Sequence, residues 1–162
     1  MDTKRLTRFG LLIALAFILS YVESLFPILP VAGMKVGLAN LVVIAALYEL
    51  GSRDAFVLSM VRILLVSMTF SNFSAMLYSL GGGILSFLVM VLLKRCGKFS
   101  IVGVSVAGGV SHNIGQIAVA ALILDQSMLV NLPWLMIGGA VAGIAIGIAG
   151  AEITKRLHRL LH

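Results

Sequence analysis

Arg62 stands near the middle of an apolar stretch, Phe56 to Phe70. An arginine at mid-bilayer depth costs at least ~2.5–3.5 kcal/mol on insertion scales, so such a residue is expected to face a ligand, a partner or a polar cavity. Ser59 lies three residues before Arg62 and Thr69 seven after it, which places all three on one helical face. Ser105, Gly109, His112 and Gln116 form a second such face, with Asn113 adjacent, and Ser71, Ser74, Tyr78 and Gly82 form a third. In lipid, polar groups turn inward toward one another. The three stripes are therefore expected to line one cavity, rimmed by Glu23, Lys35 and Asn40.

The chemistry on offer is recognition. The Arg62 guanidinium and the Lys35 ammonium suit a negative or carbonyl group, because charge-assisted hydrogen bonds are roughly twice as strong as neutral ones. Asn40, His112, Asn113 and Gln116 offer hydrogen bonds, and Tyr78 a stacking face. Each has a structural alternative. Arg62 either meets a ligand or bonds to carbonyls or an acid of the fold. Lys35 and Glu23 either contact the ligand or pair as a clasp at the outer surface. His112 is either open to the cavity or satisfied inside the bundle. Serine, threonine and asparagine often do no more than bridge membrane helices, contributing ~0.6 kcal/mol each.

Catalytic patterns are missing from the chain. It has no G-x-x-x-x-G-K-[ST] loop, and Gly81-Gly82-Gly83 is followed by Ile84. Gly109-Val110-Ser111-His112 is not a G-x-S-x-G elbow, and Ser111 and His112 point about 100° apart on a helix. The six acids are scattered, whereas ionising a diphosphate calls for several acids around Mg²⁺. Two of the three histidines, His158 and His162, belong to the tail. No metal, no cofactor and no enzymatic activity are expected.

The elements that must position these residues are membrane helices. Of 162 residues, 60% are hydrophobic and 11% charged, with mean hydropathy +1.13. Soluble domains carry about 25% charged residues. Six spans are expected at roughly 7–26, 35–50, 54–70, 73–94, 100–124 and 130–153, in one transmembrane domain covering 1–162. Asp54 is expected to cap the third span, and Pro133 suits a first turn. The second span is short and interrupted by Gly37, Asn40 and Glu49, so it is tilted, partly outside the membrane, or shielded by its neighbours. No A-x-A-like cleavage site follows the first apolar run, which is expected to be retained.

Net charge is +6, and the cations cluster without the aromatic interleaving of a nucleic-acid binder. Six spans put Lys4, Arg5, Arg8, Arg53, Lys94, Arg95, Lys98, Lys155, Arg156 and Arg159 on one side and Lys35 alone on the other. That bias places both termini in the cytosol. Cys96, the lone cysteine, then lies where thiols stay reduced. Gly139, Gly143, Gly147 and Ala151 form a small-residue ribbon that admits a close helix neighbour, inside the fold or in another protein. Gly10 and Ala14 form a shorter ribbon suited to docking a partner.

The run Tyr21-Val22-Glu23-Ser24-Leu25-Phe26-Pro27, then Gly33-Met34-Lys35-Val36-Gly37-Leu38-Ala39-Asn40, closely resembles the small membrane proteins of the Gx transporter family, also labelled heptaprenyl diphosphate synthase component I. Arg62-Ile63-Leu64-Leu65, Leu77 to Gly83, Val102 to Gly109, and His112-Asn113 with Gly115-Gln116 add to the likeness, which covers roughly residues 10–150. Such proteins are similar in size and helix count to the substrate-binding S components of energy-coupling-factor transporters. The resemblance implies a multi-pass protein of a bacterial cell membrane that holds a small ligand near its outer face. Release would depend on a transmembrane coupling subunit and two ATPases. S components dock through an Ala-x-x-x-Ala ribbon on the first helix, here nearest to Gly10 and Ala14. The synthase label implies instead a non-catalytic membrane subunit of a polyprenyl diphosphate synthase, since the Asp-rich motifs of such enzymes are missing here. It also implies an isoprenoid, a quinone or a quinone precursor as ligand. A purely structural partner working through the Gly139 ribbon is the third possibility.

Overall fold

The computed structural model describes residues 3–25 and 37–161. Lys35, Pro27 and Pro30 lie outside them. The described chain is all helical: α1 (Thr3–Leu25), α2 (Leu38–Glu49), α3 (Ser52–Phe70), α4 (Phe73–Cys96), α5 (Ile101–Ile123), a 3₁₀ helix (Gln126–Asn131) and α6 (Leu132–Leu161). Short connections from α2 onward make successive helices antiparallel neighbours.

Local chemistry sets the helix ends. Asn72 accepts a hydrogen bond from the Ala75 N–H at 2.8 Å to cap α4, and Ser100 accepts one from Gly103 at 3.2 Å to cap α5. Gly97, at φ 68°, closes α4 in the left-handed conformation that glycine adopts without steric cost. Asp54 does not cap α3 as its type suggested. The helix starts at Ser52, and Gly51 at φ 94° makes the turn, which leaves Asp54 inside the first turn where its charge suits the helix dipole. Pro133 sits in the first turn of α6, as expected.

Four described helices are long and apolar enough to cross a membrane: Leu6–Leu25, Phe73–Cys96, Ile101–Ile123 and the segment Gln126–Arg156. The other two of the six expected spans differ for identifiable reasons. α3 carries Arg53, Asp54 and Arg62 within 19 residues. α2 has 12 residues and rises only about 18 Å. It is apolar on all sides, and every residue from Val42 to Leu47 is buried. Of the three alternatives for this segment, shielding by its neighbours is the one its burial displays. α2 forms the centre of the core with Ala16, Ala55, Leu58, Phe87, Met90, Val104 and Ile146. At its C-terminal end, Lys94 donates from Nζ to the Leu47 carbonyl at 2.5 Å and lies 4.8 Å from the Tyr48 ring centroid. Leu11, Ile18, Leu88, Leu122, Val141 and Ile148 are exposed outward on α1, α4, α5 and α6, as lipid contact requires.

α5 packs most extensively, between α4 and α6. Several of its close approaches are to backbone. A Cβ on Gly139 would lie 2.7 Å from the Gly109 carbonyl oxygen, one on Gly143 2.6 Å from Val106 Cα, and one on Gly147 2.7 Å from Val102 Cα. On the other flank, a Cβ on Gly115 would lie 2.6 Å from the Gly81 carbonyl oxygen. Within the fold, the α6 ribbon packs on α5.

Candidate functional site

Arg62 opens into a cavity of about 150 Å³. On α3 the lining residues are Arg62, Ile63, Val66, Ser67 and Phe70, a face centred on Val66. Ser59 and Thr69, expected beside Arg62, fall outside it. Ser59 is buried in the fold, and the exposed Thr69 hydroxyl donates back to the Leu65 carbonyl. Arg62 Nε is buried and has no hydrogen-bond partner among the described residues. A buried guanidinium nitrogen without a partner is costly, so the side chain has unspent capacity toward whatever fills the hollow.

Glu23 faces it from α1. One Glu23 carboxylate oxygen accepts a 2.5 Å hydrogen bond from the Gly37 N–H, the residue that opens α2, and the Glu23 charge acts on Arg62. Glu23 is thus a clasp between α1 and α2 as well as part of the cavity wall. Ser20 and Ser24 also line the α1 side. Their hydroxyls donate to the Ala16 and Tyr21 carbonyls at 2.9 and 2.6 Å, leaving oxygen lone pairs for other partners. Asn40 lines the cavity from α2.

α5 supplies Ser105, Gly109, His112, Asn113 and Gln116, the stripe its spacing defined. Asn113 is partly engaged: its Nδ2 donates 2.5 Å to the Leu135 carbonyl on α6. Gly82 of α4 passes so close that a Cβ there would lie 2.6 Å from the His112 carbonyl oxygen and 3.1 Å from His112 Nδ1. The α4 backbone thereby limits where the imidazole can sit.

Two expectations about the walls change. Helices three, four and five were expected to line the cavity, but the contribution from α4 is Ser79, while α1, α2 and α6 each take a share. Tyr78 and Ser74 do not line it, and Gly82 faces α5 instead. Gly81 and Gly82 bring α4 against the α5 backbone, and the Val119, Met90 and Ser86 side chains fill the rest of the crossing. The aromatic ring at the cavity is Phe70, whose centroid is 5.1 Å from those of both Phe17 and Tyr21. Its spacing eight residues beyond Arg62 was a usable signal. The second change concerns α6, where Gly139, Ala142, Gly143 and Ile146 reach the cavity. The same glycines that let α5 approach also shape its wall, a double use that the pattern of small residues does not reveal. Gly147 packs on α5 and Ala151 is half-buried, both away from the lining.

Gly10 and Ala14 are exposed on α1, and nothing lies within 4 Å of where a Gly10 Cβ would point. Among the described residues, no three of His, Cys, Asp or Glu gather where they could hold a metal ion.

The sequence model of a family described as heptaprenyl diphosphate synthase component I matches residues 12–153. No curated protein and no solved structure matches the chain.

Proposed function

The chain belongs to the heptaprenyl diphosphate synthase component I family, and from that premise we propose that it is a membrane-embedded binding protein that captures a small ligand from the outer side for transport. The observation that carries this reading is Arg62, charged and with Nε unpartnered among the described residues, at a polar hollow inside an apolar bundle. Arg62 meets the anionic or carbonyl end of the ligand. Asn40, His112, Asn113 and Gln116 supply neutral hydrogen bonds, and Glu23 and Lys35 stand at the rim. Tyr78, off the lining, keeps at most an indirect part. The family label favours an isoprenoid, a quinone or a quinone precursor.

The topology of this reading is one domain with six crossings of the cell membrane and both termini cytosolic. It is supported by the four long apolar helices, by the burial of α2 and by the one-sided cations. α3 crosses because its arginine faces a polar cavity whose walls include residues of α1, α2, α5 and α6. The chain contains no nucleotide-binding loop, so release depends on an energy-coupling-factor type of coupling subunit with ATPases. The exposed Gly10–Ala14 ribbon is the proposed docking point.

The description of the family as a synthase component favours a second reading, a non-catalytic membrane subunit that anchors a prenyl-chain synthase. The two readings separate on one experiment. Arg62→Ala should lower retention of co-purified small molecules about a hundredfold or more, read by mass spectrometry after gentle detergent extraction, while the protein stays monodisperse. Full retention in the variant would make Arg62 structural. Co-elution of a soluble synthase with no bound small molecule would favour the anchoring role.

A further inference from the structure

We infer that the cavity accepts a head group with at most one negative charge and turns diphosphates away, and that Glu23 sets this limit; the inference rests on the cavity being a ligand site. Among the described residues that line it, those with a formal charge at neutral pH are Arg62 and Glu23, and His112 is the one further titratable group. The two charges cancel.

Glu23 cannot simply swing away from an incoming anion. Its carboxylate is held at 2.5 Å by the Gly37 N–H, at the point where α2 begins, and it is only partly exposed. It remains close enough for its charge to act on Arg62. The other polar groups are neutral. Asn113 has committed an N–H to Leu135, and Ser20 and Ser24 have committed their hydroxyl hydrogens to α1 carbonyls. Among the described residues an anion therefore finds one guanidinium fork, a few amide N–H groups and the hydroxyls of Ser67, Ser71, Ser79 and Ser105, with the Glu23 carboxylate nearby.

One fork matches one carboxylate or a carbonyl pair. A diphosphate brings several negative charges into a low-dielectric site where the one cation among the described lining residues is shared with Glu23; counting the Lys35 proposed for the rim, the site nets one positive charge, and like charges close together there are strongly unfavourable. Among the described residues no cluster of acids gathers to bring in a divalent ion as neutraliser. A synthase-like name therefore does not carry over to a diphosphate ligand at this site.

The test uses the full chain, purified in nanodiscs, with three probes titrated calorimetrically: geranoate, ubiquinone-1 and geranyl diphosphate. Geranoate or ubiquinone-1 should bind, and geranyl diphosphate should bind at least about tenfold more weakly. Glu23→Gln, which retains an acceptor for Gly37, should tighten geranyl diphosphate about tenfold and shift ubiquinone-1 less than about twofold. Geranyl diphosphate binding the wild type as tightly as the other probes, and lost in Arg62→Ala, would overturn the charge limit and leave the ligand site standing. A folded Glu23→Gln variant with no gain for the diphosphate would overturn the role of Glu23. If that variant does not fold, the wild-type ratio alone decides the charge limit. No binding of any probe to the wild type, or equal binding to Arg62→Ala, would remove the ligand site and this inference together.

Discussion

The two halves of the bundle are held together by different means. In the second half, α4, α5 and α6 touch through backbone: Gly81 against Gly115, Gly139 against Gly109, Gly143 against Val106. In the first half, α1 and α3 surround α2 through interlocking side chains such as Ile44, Leu47, Leu58 and Ala16. Lipid tails are as apolar as leucine, so the hydrophobic effect does not draw membrane helices together, and close van der Waals contact must do so. Glycine seams supply that contact but leave no gap where they run. Side-chain packing leaves gaps that polar groups can occupy. The cavity lies where the two regimes meet, with Arg62 and Glu23 from the first half facing Gly139, Gly143 and the α5 polar stripe from the second.

This contrast can be broken most directly at Gly139. Gly139→Ala adds one carbon where the nearest obstacles are the Gly109 backbone and Asn113 Nδ2, 2.6 Å away. Backbone cannot step aside as a side chain can, so a loss of about 3 kcal/mol or more is expected, the upper end of overpacking costs. It would be read as a lower detergent-solubilised melting temperature or as failure to accumulate. A loss under about 1 kcal/mol would mean that the seam is looser than the backbone distances indicate.

The same amount of matter removed from the first half should matter less. Ile44→Val takes one methyl group from a side chain that is 1% exposed, at the core of α2, and should cost ~0.5–1.5 kcal/mol in the same melt. A loss equal to that of Gly139→Ala would erase the distinction between the halves.

Gly10→Ala sharpens the comparison by repeating the Gly139 substitution where no neighbour waits. A Cβ at Gly10 meets nothing within 4 Å, and alanine removes the backbone freedom that glycine adds to the unfolded chain. Stability should rise by ~0.5–1 kcal/mol. If the ribbon docks a coupling subunit, Gly10→Leu should abolish co-purification of that partner without lowering the melting temperature.

Much of the cavity lining was legible in the residues themselves. Arg62, Asn40, Glu23 and the α5 stripe line the cavity as their types and spacing suggested, because a charged or amide group in an apolar helix has few acceptable directions to face. The serines were less readable. Ser67 and Ser79 line the cavity while Ser59 and Ser74 do not, and a hydroxyl that can bond its own helix carbonyl has no obligation to face any particular way. Tyr78 was misplaced for a different reason. The spacing of its stripe implies that α4 faces the cavity along its length, whereas Gly82 of that stripe, with Gly81 beside it, lies against α5.

Composition and charge determine by themselves that this chain is a bundle of apolar helices, because 11% charged residues cannot clothe a water-facing surface. They also determine that Arg62 must be shielded, since its cost in lipid is a property of the residue. Which helices do the shielding was decided only by the tertiary structure. That depends on crossing geometry: whether a glycine ribbon meets α5 or a foreign helix, and whether a short apolar segment runs along the surface or through the centre. Both outcomes follow from how near two backbones can come, a distance that periodicity along one chain does not contain.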